Sequence, residues 1–535
     1  MLYFIIAISA IVFLIHIMLR YLDSLQMFQQ NVYDTKRYFA WCVNHTEKSI
    51  PILLLLPLIL WLGIYFYPSL LTLNILLGLT TLFFTIQSVF IWLRQRKFVK
   101  KPLVMTPRAW RLTATSGIII ILIIVSAYFI SLDTQLKYIF IVYLCLLLNI
   151  FIYSIVWIAN LLNTPIEKKI RTNFINEAKA KISDMQPQLQ VVGITGSYGK
   201  TTTKHIVNHI LNESFYSLMT PASFNTPMGI TITIREHLKP IYDVFVCEMG
   251  AYRVGEIKEL ADIAKPKYGV LTAIGPQHLN TFKSLENIQK TKFELIESLD
   301  EAGLAILNMD DPMIRAYEIK SPCRKVMYST EDPNADYFAT NISYTDKGIS
   351  FDVILPTKES HHIETMLLGE HNIQNILAAI AIATDMGMEP AKMIKAIKSL
   401  PQIEHRLEIK PAGNFTIIDD AFNANPVGTK KAIDVLTKMA GKKIVITPGM
   451  IELGAEEEKL NEEYGAYMAD KVDFVILVGK KQTEPIYRGL RTKLPEEKIF
   501  VAANLTEGFE RMYSEAIAGS FVLIANDLPD TYNEN

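Results

Sequence analysis

A glycine-rich segment, residues 191–204, contains the residue types that bind phosphate. A β-branched run at 191–194 leads into glycines and then into Lys200 and Thr201, after which apolar residues recur at helical spacing. This order predicts a strand, a phosphate-binding loop and a helix. Such a loop turns backbone N–H groups and a helix N-terminus toward an anion, while its lysine reaches the outer phosphates and its threonine hydroxyl binds Mg²⁺. We therefore predict ATP and Mg²⁺ as cofactors.

The glycines of this segment depart from the general phosphate-loop pattern, because Ile194 stands where the first glycine is required. A glycine-rich turn that binds no ligand is the alternative interpretation. The residues expected to bind the nucleotide in this segment are Gly196, Ser197, Gly199, Lys200, Thr201 and Thr202.

A carboxylate lies at the end of a second predicted strand, residues 243–248. At the carboxyl edge of a parallel sheet, beside a phosphate loop, Glu248 can reach a Mg²⁺ ion that ATP also binds. A solvated acidic residue at a strand end is the ordinary alternative. Thr201 and Glu248 are therefore the metal ligands that the residues themselves indicate.

The elements that position these residues alternate between strands and helices. Strand patterns at 243–248, 268–273 and 303–307 are separated by helical patterns, which predicts a parallel sheet covered on both faces. A second α/β pattern begins after Pro401. We predict a central ATP-binding domain at 166–400 and a C-terminal domain at 401–535.

The first 165 residues are dominated by apolar runs that are about as long as a bilayer is thick. We predict a membrane region at 1–165 with about five transmembrane helices; buried helices of a soluble domain are the alternative. Basic residues cluster between 94 and 111, and such loops stay on the cytoplasmic side. The prediction is a multi-pass protein of the cytoplasmic (inner) membrane, with its catalytic domains in the cytoplasm.

Composition excludes few functions for this chain of 535 residues. The formal net charge of −1 gives no reason to expect a nucleic acid partner. Four cysteines are scattered without metal-ligand spacing, which fits a reduced setting better than a disulfide framework.

Two longer motifs resemble one enzyme family. The segment T-G-S-Y-G-K-T-T at 195–202 and the string D-D-A-F-N-A-N-P at 419–426 are similar to motifs of the Mur ligases, ATP-dependent enzymes that add amino acids to cell-wall precursors. The resemblance covers about 190–480 and is strongest to the branch that adds D-alanyl-D-alanine. It implies a central P-loop ATPase domain, a Rossmann-like C-terminal domain, and ligation of a carboxylate to an amine through an acyl phosphate.

The resemblance also implies metal ligands. Glu248 lies in an E-M-G-A element, His278 in G-P-Q-H-L, and Lys292 in T-K-F-E, where the family carries a carbamylated lysine. Thr201, Glu248, His278 and Lys292 are then the expected metal ligands. A structural histidine and a surface lysine are the alternatives for His278 and Lys292.

The remaining site residues follow from further family motifs, N-x-D-D, G-x-H-N-x-x-N and the arginine of H-R-L. Lys200, Lys292, His278 and Arg406 are expected to be catalytic, and Arg406 to contact the terminal phosphate. Expected nucleotide contacts outside the loop are Asn308, His371, Asn372, Asn375, Arg406 and Asp420; expected substrate contacts are Asn225, Asn423 and Asn425.

Two departures from the family leave the substrates open. The motif at 448–454 lacks the family's aspartate, and 525–530 lacks the K-G-S-R element that handles the amine. The expected partners are a cell-envelope precursor, an amino acid or peptide amine donor, and membrane lipid. A lipid-linked precursor and simple anchoring are equal alternatives for the role of 1–165. A membrane transport or signalling protein with a conformational nucleotide-binding domain is the rival function.

Overall fold

The computed structural model describes residues 2–61, 70–97, 102–130, 134–345, 348–402, 404–421, 424–451 and 453–526. The chain divides into two compact units, Met1–Arg171 and Thr172–Asn535.

The first unit is helical. Its described helices are Leu2–Gln30, Thr35–Asn44, Thr46–Ser49, Leu55–Trp61, Leu70–Lys97, Pro107–Tyr128, Thr134–Ile150 and Ile152–Met185, the last of which continues into the second unit. Among the described residues, three helices are long and apolar enough to cross a membrane, by length and composition only. The number is five if each of two bent helix pairs counts as one span; their bends are 93° and 76°.

Charged side chains are buried inside this helical unit. Arg20 donates to the carbonyl of Asn149 (2.7 Å), next to the 76° bend, and to the carbonyl of Ser49 (3.1 Å). Both carbonyls lie in the last turn of a helix, where carbonyl groups lack intrahelical partners and a cation is favourable. Tyr153 donates its hydroxyl to Asp23 (2.5 Å). Hydrogen bonds from buried polar and charged groups therefore link different helices of this unit, and these bonds are directional in a way that apolar contacts are not.

A nine-stranded sheet forms the first half of the second unit, within its described residues. Its order is β2-β3-β1-β4-β5-β6-β7-β8-β9; β1 to β7 pair in parallel and the β7–β8 and β8–β9 pairs are antiparallel. The strands are β1 Gln190–Thr195, β2 Ser217–Met219, β3 Val244–Glu248, β4 Tyr268–Leu271, β5 Leu304–Asn308, β6 Arg324–Ser329, β7 Tyr337–Thr345, β8 Gly348–Ile354 and β9 Ser360–Thr365.

Helices cover this sheet and bury its apolar central strands, as a parallel sheet requires. They are Lys200–Leu211, Pro227–Ile232, Glu256–Ala264, Leu279–Phe282, Leu285–Glu297, Pro312–Arg315, His371–Asp385 and Pro390–Lys398. In the register, Ile194 pairs with Glu248 and Thr195 with Leu271. The carboxyl ends of β1, β3 and β4 therefore lie side by side.

A six-stranded sheet forms the second half, in the order β10-β11-β15-β12-β13-β14. Only β10, the edge strand, is antiparallel among the described pairs. The strands are β10 Glu408–Ala412, β11 Phe415–Asp420, β12 Lys443–Thr447, β13 Phe474–Val478, β14 Ile499–Ala502 and β15 Phe521–Ala525; the α-helices are Pro426–Thr437, Glu457–Met468, Glu484–Leu490 and Leu505–Glu515. In such sheets ligands bind beyond the carboxyl ends of the strands.

Candidate active site

The phosphate loop lies between β1 and helix Lys200–Leu211. Gly199 is the N-cap at φ 80, and Gly196 has φ 150. A Cβ atom at Gly196 would approach Thr272 Oγ1 to 2.1 Å, so the loop can pass β4 only with glycine there. The backbone N–H of Ser197 donates to the carbonyl of Ala273 (2.7 Å). The loop is thus held open at a helix N-terminus, the geometry that suits an anion.

Lys200 extends over this loop. Its Nζ donates to the carbonyls of Gly196 (2.8 Å) and Ser197 (3.1 Å). Burial lowers the pKa of Lys200 to about 8; the Glu248 carboxylate raises it and Arg406 lowers it further. The amine therefore lies inside the loop, where a bound phosphate could replace the two carbonyl oxygens.

Glu248 is buried at the end of β3 and faces the first turn of the loop helix. Its Oε1 accepts from Thr201 Oγ1 (3.2 Å) and Asn225 Nδ2 (2.9 Å). Burial raises the pKa of Glu248, but the charges of Lys204 and Lys200 outweigh that effect and lower it overall. An ionised carboxylate next to a hydroxyl is an oxygen donor set that suits Mg²⁺. The described residues therefore fit the metal that the sequence predicts.

Lys292 is the third lysine whose amine interacts with Glu248, after Lys200 and Lys204. It is buried on helix Leu285–Glu297, and burial together with the charge of Lys200 lowers its pKa well below the ordinary value. A neutral amine can add to carbon dioxide, which a protonated one cannot. The surface-lysine alternative is thereby excluded, whereas carbamylation stays a prediction.

His278 follows β4 on the neighbouring loop, with φ 55. Its ring contacts the ring of Tyr252, with centroids 4.4 Å apart. The structure places it beyond the carboxyl edge of the sheet, in line with the predicted metal role, which stays a prediction.

Another acidic cluster is a poorer metal site. Among the described residues, His405, Glu408 and Asp419 are the one group of three such side chains whose ligand atoms converge within 4.8 Å. The amine of Lys410 already lies 2.6 Å from Asp419 and 3.0 Å from Glu408. A permanent cation therefore occupies the place where a metal would bind.

A cleft with a cavity volume of about 120 Å³, here called the nucleotide cleft, lies between the two sheets of the second unit. It is lined from one side by the phosphate loop and helix His371–Asp385, and from the other by Arg406, Asp420 and Asn425. His371 and Lys431 also line an adjoining cavity of about 570 Å³. The predicted residues of the two halves thus meet around one cleft, and the adjoining cavity, with which the cleft shares His371 and Lys431, has the size of a small-molecule site.

Two asparagines of the nucleotide cleft lie one helical turn apart. Asn375 Nδ2 donates to Asn372 Oδ1 (3.2 Å), and Asn375 Oδ1 accepts from Thr203 Oγ1 (3.0 Å). Asn375 thereby joins its helix to the loop helix. Burial lowers the pKa of the adjacent His371 to about 3, so this ring is neutral at physiological pH.

Arg406 and Asp420 reach the cleft from the second sheet. Burial raises the pKa of Asp420 to about 7, although the charge of Arg406 lowers it. Burial also lowers the pKa of Arg406. The backbone N–H of Leu407 donates to Asp420 Oδ1 (3.3 Å), which fixes the turn that carries Arg406.

Three predicted ligand contacts have other roles in the described structure. Asn308 donates to the carbonyl of Thr272 (2.9 Å), so it positions a cleft residue. Asn425 caps helix Pro426–Thr437 by accepting from Gly428 N (2.7 Å), and Asn225 donates to Glu248. Asn423 lies outside the described residues. The predicted ligand contacts of all four residues stay predictions.

Two residues of the site were missed in the sequence. Lys204 pairs with Glu248, and its spacing of four residues from Lys200 on one helix was a usable signal. Asn526 follows β15 at φ 74; Nδ2 donates to the carbonyl of Gly449 (2.7 Å) and Oδ1 accepts from Ala424 N (3.3 Å). The backbone N–H of Asn526 also donates to the carbonyl of Asp420 (3.3 Å).

Replacing Asn526 separates its backbone role from its side-chain role. Asn526→Gly keeps the left-handed backbone but removes the bridge between Ala424 and Gly449, so we expect kcat/KM for ATP to fall about 3- to 10-fold at nearly unchanged Tm. Asn526→Ala should lose the same bridge and also lower Tm, because alanine is strained at this φ. Kinetics and thermal unfolding of both variants test this. Wild-type kinetics for Asn526→Gly would show that the bridge has no role in the site.

Comparison with known proteins agrees with this geometry. Residues 194–383 match the Mur ligase middle domain, and residues 405–526 match the Mur ligase glutamate ligase domain. The UDP-N-acetylmuramoyl-tripeptide–D-alanyl-D-alanine ligase of Bacillus subtilis (strain 168) is 34% identical over 308 residues, which are 57% of this chain and 65% of that protein. The Escherichia coli (strain K12) ligase of the same name is 34% identical over 299 residues, 55% of this chain and 66% of that protein.

Solved structures give the same result. The crystal structure of MurF from Acinetobacter baumannii has a TM-score of 0.61 at 25% identity and covers 68% of this chain and 78% of that one. MurF from Thermotoga maritima, in complex with ADP, has the same TM-score and identity and covers 68% and 81%. The part of the chain at 194–526 belongs to the Mur ligase family. Within the family it is MurF-like. The chain spans just under two thirds of the length of the curated relatives named above.

These findings confirm the α/β fold with Mur ligase middle and C-terminal domains. The predicted localisation, a multi-pass protein of the cytoplasmic membrane, is wrong: the homologous MurF ligases are soluble cytoplasmic enzymes, and both family models match only residues beyond 193. The error has a physical origin. Apolar length is compatible with crossing a membrane without showing it, and two of the five candidate spans are sharply bent pairs.

Proposed function

We propose that this protein is an ATP-dependent ligase that joins a carboxylate to an amine through an acyl phosphate. The carboxylate would be that of a UDP-N-acetylmuramoyl-tripeptide and the amine that of D-alanyl-D-alanine, the substrates in the names of the relatives. The observation that carries the proposal is the nucleotide cleft, because it joins the phosphate loop of one domain to Arg406 and Asp420 of the next.

The proposed division of labour follows the charges. Lys200 and Arg406 would stabilise the negative charge that develops as the substrate carboxylate attacks the terminal phosphate of ATP. Thr201 and Glu248 would hold Mg²⁺, with His278 and Lys292 as further ligands; when bound, the ion supplies neutralisation of phosphate charge. The attack by the carboxylate breaks the bond between the terminal phosphate and ADP, so that an acyl phosphate forms and ADP leaves. The amine then attacks the acyl carbon and loses a proton, and inorganic phosphate leaves as the peptide bond forms.

The remaining roles concern binding. Asn372, Asn375 and His371 would hold the nucleoside, and Asp420 the ribose or the metal. In this proposal residues 166–400 bind ATP and residues 401–535 close over it and present the amine. A lipid-linked precursor was one of two equal alternatives and membrane lipid was an expected partner; both depended on the membrane localisation, and neither is part of this proposal.

The proposal is tested by asking whether phosphate release from ATP requires both substrates. Full-length protein is given ATP and Mg²⁺ with the UDP-linked tripeptide, with D-alanyl-D-alanine, with both, with neither, or with the tripeptide and another amine. Phosphate release is measured, and the peptide product is identified by mass spectrometry. We expect sustained release only when both substrates are present. Hydrolysis that ignores both would contradict ligation and favour a conformational nucleotide-binding domain. Release of phosphate with the tripeptide and another amine, but not with D-alanyl-D-alanine, would support ligation and show that the amine donor is a different one.

A further inference from the structure

Lys204 is a fully buried charge directly behind the candidate metal site. It lies one helical turn beyond Lys200, and none of its surface is exposed. Its Nζ donates to the carbonyl of Ala222 (2.6 Å) and lies 3.1 Å from Glu248 Oε2. No step of the proposed reaction uses this amine. A lysine is almost never fully buried unless it is paired, so its charge and that of Glu248 depend on each other.

The two oxygens of Glu248 have different surroundings. Oε1 faces Thr201 and Asn225, whereas Oε2 faces Lys204. Because Lys204 is also bonded to the carbonyl of Ala222, it is held in place from two sides. A cation that binds beside the Thr201 hydroxyl would therefore meet Oε1, whereas the amine of Lys204 lies against Oε2.

The charges around Glu248 oppose a metal ion in the absence of nucleotide. Lys200, Lys204 and Arg406 all act on this carboxylate. Positive charges repel a divalent cation more strongly inside a protein than in water, because the effective dielectric is lower there. The phosphates of a bound nucleotide would make the net charge around the metal site negative.

We propose that Lys204 is a positioning residue that occupies Glu248 Oε2 and makes binding of the divalent cation conditional on bound nucleotide. This inference rests on the proposed function, since it assumes a nucleotide in the cleft. The consequence is a fixed order of binding. The empty enzyme binds the anionic nucleotide first, and the metal binds together with it or after it.

Direct metal binding tests the proposal. Full-length wild type, Lys204→Met and, as a matched surface control, Lys239→Met are titrated with Mn²⁺ at about pH 8, with and without ADP, by calorimetry and electron paramagnetic resonance. We expect ADP to tighten Mn²⁺ binding by wild type about 100-fold, and Lys204→Met to bind Mn²⁺ without ADP at least about 10-fold more tightly than wild type does. The control should match wild type. Equal nucleotide-free affinity in Lys204→Met and wild type would overturn the proposal.

A second measurement tests the pairing of Lys204 with Glu248 even if Lys204→Met alone does not fold. In EDTA, Glu248→Gln should lower Tm by about 5 °C or more, because it leaves Lys204 buried without its counter-ion, and Lys204→Met/Glu248→Gln should recover part of that loss. A double variant no more stable than Glu248→Gln would overturn the pairing. Wild type that fails to bind Mn²⁺ even with ADP would instead contradict the proposed function, and the thermal cycle would still decide the pairing.

Discussion

Lys200→Ala should reduce ligation by at least about 10³-fold while the protein stays folded. The amine lies inside the phosphate loop, bonded to two of the loop's own carbonyls, so the variant loses the charge that would face the transferred phosphate. Removing one such donor from a preorganised site typically costs 10²- to 10³-fold, and a full positive charge contributes more. The measurement is substrate-dependent phosphate release, with Tm measured in parallel.

Two controls make this result specific. Lys239→Ala removes an exposed lysine of the same domain and should leave both turnover and Tm unchanged. Lys200→Arg keeps the charge but changes its shape, so partial activity would show that charge carries most of the effect. Near-normal turnover by Lys200→Ala would contradict the assignment of the phosphate loop.

Lys292→Ala should be inactive and partly rescued by acetate. Burial lowers the pKa of this amine well below the ordinary value, which favours the neutral form that can add to carbon dioxide and become a carbamate. As a carbamate it would supply oxygen atoms to Mg²⁺ close to Glu248, and a small carboxylate can enter the space left by the truncated side chain to supply them instead. Turnover is measured against acetate concentration, with chloride at the same ionic strength as the reference.

The matched control is Lys290→Ala, which removes an exposed lysine from the same helix two residues away. It should be as active as wild type and insensitive to acetate. Full activity of Lys292→Ala without acetate would refute the role of Lys292 as a metal ligand.

Local sequence determined the elements that carry the chemistry. The β-branched run before the glycines required a strand, and Gly199 before Lys200 allowed a helix to begin at the loop. The alternation of strands and helices indicated a parallel sheet, which places Glu248 and the phosphate loop at one edge. These features depend on backbone preference and periodicity within a few residues, so they can be predicted from one sequence.

The sequence was least informative where the length or composition of a segment was used in place of the three-dimensional surroundings of its residues. Apolar runs at 1–165 were interpreted as membrane spans, yet neither the bends nor the buried Arg20 and Asp23 can be recognised from hydrophobicity. Asn308 and Asn425 were assigned to ligands from their motifs, although an asparagine amide binds a backbone group equally well. The spacing could not distinguish these two uses.

Only the tertiary structure decided how the charges pair. Lys204 is 44 residues from Glu248 and Asn375 is 172 residues from Thr203 along the chain, yet each pair lies within hydrogen-bonding distance. Arg406 and Asp420 reach the cleft because a second sheet packs opposite the first. Burial then lowers the pKa of Lys292 and raises that of Asp420. Sequence fixes which groups can ionise, but the free energy of ionisation depends on the solvent and the charges that folding leaves around each group.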